Sequence, residues 1–177
     1  MVPSGTYKFG PSNGRLLVKI EREGMAKKMG HDLTLEVANW DAEVTVDADN
    51  PANSQMTVNA DTRSLEVIEW HGGVKPMTEN DKKDIKKNID EKVLTDGNVT
   101  FRSTSVNPSG NGARVSGDLT INVSTQPSQF DLAVNGGKVT SSAAIAQTHF
   151  GIKPFKFMGM LKVKDQVNIE FEADLPT

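Results

Sequence analysis

The residue types that most often carry metal or nucleophilic chemistry are few in this chain. It has three histidines and no cysteine, which excludes disulfides, thiolate zinc sites, Fe–S ligation and a cysteine nucleophile. His31, His71 and His149 are far apart and show no metal-ligand spacing such as H-x-H or H-E-x-x-H. We therefore predict no metal site and no cofactor beyond a bound ligand.

Serines and carboxylates also lack a catalytic pattern. No G-x-S-x-G segment occurs, and glycine pairs such as Gly136-Gly137 suit turns rather than a phosphate loop. Carboxylates such as Glu170 and Glu172 fall on the polar side of an alternating segment, where water solvates them. We predict no catalytic residue and a protein that is not an enzyme. The alternative is an isomerase- or cyclase-type enzyme with His31 or His149 as a general base in a pocket.

Charge and hydropathy narrow the classes of partner. The net charge of −3 argues against a dedicated nucleic-acid binder. No stretch approaches the ~20 apolar residues of a membrane-spanning helix. Residues 1–5 lack the basic and apolar regions of a signal peptide. We expect a cytoplasmic location, or a periplasmic or secreted one if a leader was removed.

The elements that must position any site are mostly strands. Apolar and polar residues alternate with period two in six segments, each typical of a strand with one buried face. Turn signals such as Asn50-Pro51 separate them, which favours antiparallel pairing in a barrel or a sandwich. The alternating segments are 16–21, 32–37, 55–60, 115–123, 129–134 and 166–173.

Two irregularities interrupt this pattern. The apolar residues of 32–49 change from odd to even positions at Asn39, which predicts a bulge or bend at Asn39-Trp40. Residues 78–81 (TEND) resemble a capping box, and Ile85, Ile89 and Val93 then form one apolar stripe. We predict one helix over residues 79–94, lying against the strands.

Short motifs carry a resemblance that extends over about residues 5–175. They are 30–33 (GHDL) followed by 40–42 (WDA), 58–65 (VNADTRSL), 98–103 (NVTFRS), 117–121 (GDLTI), 150–152 (FGI) and 167–169 (VNI). In order and spacing the chain resembles the YceI-like family, although Tyr7 stands where that family usually has a tryptophan. The resemblance implies a lipocalin-like antiparallel barrel that binds long amphiphilic lipids such as polyisoprenoids.

The predicted fold is therefore all-β: an antiparallel lipocalin-like barrel of about eight strands, capped by one α-helix. We expect residues 1–177 to form a single YceI-like lipid-binding domain. The predicted function is non-enzymatic binding of a polyisoprenoid, an isoprenoid quinone or a fatty-acyl derivative, for transport, storage or sequestration. A barrel filled by its own side chains is the remaining alternative. A homodimer is left open.

The predicted ligand-binding residues come from two sources. Bulky residues on the buried phase of the strands would face the lumen, and small ones beside them would leave a tunnel there. Apolar residues near Trp70-His71 and in 155–160 would form its mouth, because Met and Phe suit adaptable pockets. The predicted ligand-binding residues are Leu35, Val58, Trp70, Val99, Phe101, Leu119, Ile121, Phe130, Leu132, Ile145, Phe155, Phe157, Met158 and Met160. The small residues are Ala60, Ser103, Gly117, Ala143 and Ala173.

Overall fold

Antiparallel strands make up most of the computed structural model, which describes residues 2–24, 28, 30–157 and 161–177. The predicted all-β class with one helix is confirmed. The strands are β1 (Gly5–Phe9), β2 (Gly14–Ile20), β3 (Arg22–Glu23), β4 (His31–Val37), β5 (Trp40–Val46), β6 (Gln55–Asp61), β7 (Leu65–Gly72), β8 (Asn98–Ser109), β9 (Gly112–Ile121), β10 (Ser124–Asn135), β11 (Lys138–Ala146), β12 (Lys156–Phe157), β13 (Leu161–Val163) and β14 (Gln166–Asp174).

One curled sheet contains eleven of these strands, in the order β1-β5-β6-β8-β9-β10-β11-β14-β2-β4-β7. The predicted number of about eight is slightly low, because β1 and β2, β4 and β5, and β6 and β7 are each parts of one interrupted stretch. The β4–β5 stretch pairs with β2 and β1 on one side and with β7 and β6 on the other. The two end strands of the sheet, β1 and β7, therefore pair with the two parts of the same β4–β5 stretch, and the sheet curls into a barrel.

The predicted bend lies at residues 38–39, between β4 and β5. There the Ala38 N–H donates to the Ser64 carbonyl at 3.2 Å, and the Asp61 N–H donates to the Asn39 carbonyl at 3.0 Å. This interruption shifts the side-chain alternation by one residue. Leu35 before it and Trp40 after it are consequently both buried, at 2% and 4% exposure.

A helical stretch follows the β7 strand. Helix α1 (Glu79–Asn88) continues as a π-helical turn (Ile89–Val93), close to the predicted span of 79–94. The capping box is present: Thr78 Oγ1 accepts from the Asp81 N–H at 3.1 Å, and Asp81 Oδ2 accepts from the Thr78 N–H at 2.8 Å. Within the described residues, neither this helical stretch nor any other helix is long and apolar enough to cross a membrane.

The small residue Gly117 does not widen the lumen. A Cβ at this position would lie 2.3 Å from the Arg102 carbonyl oxygen and 2.7 Å from the Phe101 ring. The ladder between β8 and β9 shifts register beside it. The absent side chain therefore lets strand β8 approach closely. Of the small residues named above, Ala60 and Ala143 line the cavity described next, whereas Ser103, Gly117 and Ala173 do not.

Candidate functional site: an apolar cavity in the barrel

The barrel holds a partly open cavity of about 250 Å³. Its walls are apolar almost throughout, and no ionisable side chain lines it among the residues that the structure describes. This follows from the alternation, because every second residue of a strand must face the same side of a sheet. Such a cavity suits a hydrocarbon chain and disfavours a charged group, which would lose its hydration without gaining a partner.

Most of the predicted strand positions face this cavity. They lie on β4, β6, β8, β9, β10 and β11, so the cavity is bounded by residues far apart in sequence. The predicted residues that line it are Leu35, Val58, Val99, Phe101, Leu119, Ile121, Phe130, Leu132 and Ile145.

The residues predicted to form a mouth are placed differently. Trp70 does not line the cavity; it is 37% exposed and lies under the Lys82 ammonium, 4.7 Å from the ring centre. Phe155 does not line the cavity either, and Lys92 Nζ lies 5.6 Å from the centre of its ring. In both cases a lysine ammonium lies over one face of the ring, and the ring does not border the lumen. The Phe157 side chain, Met158 and Met160 lie outside what the structure describes.

The helical stretch supplies lining residues that were not predicted as ligand-binding. Ile89, Val93 and Leu94 border the cavity. Ile89 and Val93 belong to the helical stripe, so the four-residue spacing was the signal that identifies them. Trp40 and Phe171 also line the cavity; their rings meet edge to face at 5.6 Å between centroids.

Two polar side chains hold the helical stretch on the barrel. Arg63, in the corner between β6 and β7, donates to the carbonyls of Asp90 and Thr95, both at 2.8 Å. Asn122 has a positive φ of 54° in the turn between β9 and β10, and its Nδ2 donates to the Val93 carbonyl at 2.9 Å. The Asp90 and Val93 carbonyls belong to the last helical turn, where carbonyls have no partner within the helix, so these hydrogen bonds fix the position of the π-helical turn.

A different element closes a gap in the barrel wall. β10 and β11 pair only between residues 131–135 and 138–142. No ladder joins residues 124–130 of β10 to residues 143–146 of β11. A short 3₁₀ turn (Gln147–Phe150) follows β11 and packs against β10. Phe150 and Ile152 are each 7% exposed and belong to one apolar cluster with Phe130 and Ile145. The turn thus fills the space that the missing ladder leaves.

Asp165 anchors this turn. Its carboxylate accepts from the Thr148 hydroxyl at 2.7 Å and from the Thr148 N–H at 2.8 Å. These hydrogen bonds, the hydroxyl's first, hold the pKa of Asp165 below its ordinary value, because they stabilise the charged form. The backbone carbonyl of Asp165 also accepts from the Gln147 N–H at 3.0 Å.

The lowered pKa of Asp165 predicts a direction for pH dependence. A carboxyl whose pKa is lower when folded stabilises the fold above its unfolded pKa of about 3.9, and the contribution is lost as pH falls through the folded pKa. Asp165→Asn should therefore be less stable than the parent at pH 7, with a difference that shrinks below about pH 4. Urea unfolding from pH 7 to pH 2 measures this. A constant difference would contradict it.

The enzyme alternative requires His31 or His149 in the cavity wall. None of the three histidines lines the cavity. His31 begins strand β4, and its Nε2 lies 2.9 Å from the Lys75 carbonyl oxygen, a structural contact. No cluster of three or more His, Asp or Glu side chains suited to a metal ion occurs within the described part of the chain.

The chain is similar to a known family in sequence and to solved structures in fold. The family described as YceI-like domain matches residues 7–175. BcnA of Burkholderia cenocepacia is a similar structure, with a TM-score of 0.65 and 19% identity over 93% of this chain and 96% of BcnA. A Campylobacter jejuni YCEI protein has a TM-score of 0.53 and 16% identity over 81% of this chain and 85% of that protein.

No curated protein matches the chain in sequence. The two structures share its fold at low identity, so their likeness concerns the architecture. The family match, in contrast, extends over nearly all of the sequence, from Tyr7 in strand β1 to Leu175 just beyond strand β14. By this match the chain belongs to the YceI-like family.

Proposed function

We propose that this protein binds a long amphiphilic lipid inside its barrel, without catalysis, as a carrier, store or sequestering protein. The observation that carries the proposal is an apolar cavity of about 250 Å³ inside the barrel, with no ionisable group among its described lining residues. A solid core would leave no such space, since protein interiors pack with few voids larger than a water molecule. The ligand is a polyisoprenoid, an isoprenoid quinone or a fatty-acyl derivative.

The energetics favour a chain over a bulky head group. Each methylene that the ligand buries in an apolar cavity contributes ~0.8 kcal/mol to the free energy of binding. The cavity is slightly smaller than the ~300–1,000 Å³ of typical small-molecule pockets. We infer that the nine predicted strand residues that line it, from Leu35 to Ile145, contact the hydrocarbon part of the ligand.

Extraction of the folded protein tests the proposal. Organic solvent is applied to the purified protein and the extract is analysed by mass spectrometry. Fluorescent prenyl and fatty-acyl probes are then titrated into the delipidated protein. We expect a co-purified lipid and saturable probe binding that the extracted lipid displaces. Absence of lipid, together with absence of binding by either probe, would overturn the proposal.

A further inference from the structure

Thr62 is a cavity-lining residue whose hydroxyl has no partner among the described residues. Thr62 is 4% exposed and lines the cavity, and its Oγ1 makes no hydrogen bond to any residue that the structure describes. Its backbone N–H is satisfied, because it donates to the Gly97 carbonyl at 3.0 Å. Among the described residues, only the side-chain hydroxyl of Thr62, and not its N–H, therefore lacks a hydrogen-bond partner.

Two other polar side chains of the wall, Ser141 and Gln147, have hydrogen-bond partners. Ser141 Oγ donates to the Asp131 carbonyl at 2.7 Å, and Gln147 Nε2 donates to the Lys164 carbonyl at 3.0 Å. A buried hydroxyl without a partner has lost its hydration and gained no hydrogen bond in return. Valine has nearly the same shape and would avoid that cost, so a threonine here is explained best by a partner that arrives from the cavity.

We propose that Thr62 is a polar subsite, and that its hydroxyl hydrogen-bonds an uncharged oxygen of the ligand, either a hydroxyl or a carbonyl. This inference rests on the proposed function and specifies the ligand further: an uncharged amphiphile with an oxygen placed inside the barrel. The subsite lies at the corner between β6 and β7, where Arg63 fastens the π-helical turn.

The two cations beside the subsite are already engaged. Arg63, the next residue, is already engaged: its guanidinium donates to the carbonyls of Asp90 and Thr95, and its Nη1 lies 3.4 Å from Asp90 Oδ1. That Asp90 oxygen is buried and at ion-pair distance from Arg63, although it accepts no hydrogen bond from the described residues. Lys86, whose Nζ donates to the Arg63 carbonyl and lies 3.5 Å from Asp90 Oδ2, is engaged as well, so neither cation is left for a carboxylate ligand. Burying an unpaired charge is far more costly than burying an alcohol.

Three probes of equal chain length test the subsite: dodecane, 1-dodecanol and dodecanoate, each displacing a fluorescent apolar probe. We expect the parent protein to bind dodecanol and to discriminate against dodecanoate. Thr62→Val should weaken dodecanol binding by about 3–10-fold, the value of one net hydrogen bond, and leave dodecane binding unchanged. Thr62→Ser retains the hydroxyl and should preserve most of the dodecanol affinity.

The controls separate this inference from the proposed function. Thr120→Val removes a hydroxyl from the outer face, where Thr120 Oγ1 lies 2.8 Å from Thr125 Oγ1, and should leave the affinities for all three probes unchanged. If Thr62→Val weakens dodecane and dodecanol equally, or neither, the hydroxyl serves packing or an internal water and the subsite is wrong. If folded parent protein binds none of the probes, the proposed function itself fails.

Discussion

Leu119→Trp and Ile121→Trp, made singly, should abolish lipid loading while the barrel still folds. Leu119 and Ile121 are 8% and 7% exposed, lie two residues apart on β9 and both line the cavity. An indole in place of either side chain would occupy space that a hydrocarbon chain needs. Overpacking costs ~1–3 kcal/mol, less than the ~5–15 kcal/mol stability of a typical domain. Mass spectrometry of solvent extracts and titration with acyl and prenyl probes measure the loss.

The matched control is Thr120→Trp, because Thr120 lies between these two residues and its side chain faces outward toward Thr125. This variant should load lipid like the parent. Circular dichroism must show a folded β protein in all three variants. Full lipid loading in folded Leu119→Trp and Ile121→Trp would place the ligand elsewhere.

Trp40→Ala should lower the free energy of unfolding by about 3–5 kcal/mol. Trp40 is 4% exposed and its ring packs edge to face against Phe171, which in turn meets Phe9 at 5.9 Å between centroids. Removal of the indole takes away the largest side chain of this aromatic cluster and leaves a void beside the cavity. Urea unfolding followed by circular dichroism gives the change.

The other tryptophan provides the comparison. Trp70 is 37% exposed and has Lys82 over its ring. Trp70→Ala should lower the free energy of unfolding by less than Trp40→Ala does, because Trp70 buries less of its surface and a cation–π pair at such a site contributes little. Similar losses for the two variants would mean that Trp40 does not hold the barrel together.

Period-two alternation predicted the interior of the barrel well. Leu119 and Ile121 on β9, and Phe130 and Leu132 on β10, line the cavity because the pleat leaves side chains only two faces. The bend near Asn39 was also readable, since a change of phase in one long strand requires an irregularity. The strand count was less accurate, because an interrupted stretch and two separate strands look alike in a sequence.

The loops were harder to predict, since no fixed periodicity operates there. Trp70 and Phe155 looked like pocket residues by bulk alone, but the structure places a lysine ammonium beside each ring. Thr62 was quoted only as part of a family motif. Its significance depends on which atoms surround the hydroxyl, and no local sequence pattern specifies them.

The pairing of β14 with β2 has a consequence for how the chain folds. Residues 14–19 find their partners at 168–173, so one seam of the barrel joins segments about 150 residues apart. Contacts of such long sequence separation carry a high loop-closure entropy and slow the search for the native state. During synthesis strand β2 cannot pair with β14 until β14 has been made, and the apolar faces of the first strands are exposed until then. The cavity is thus complete only after nearly the whole chain has been made, and we expect the ligand to load after translation rather than during it.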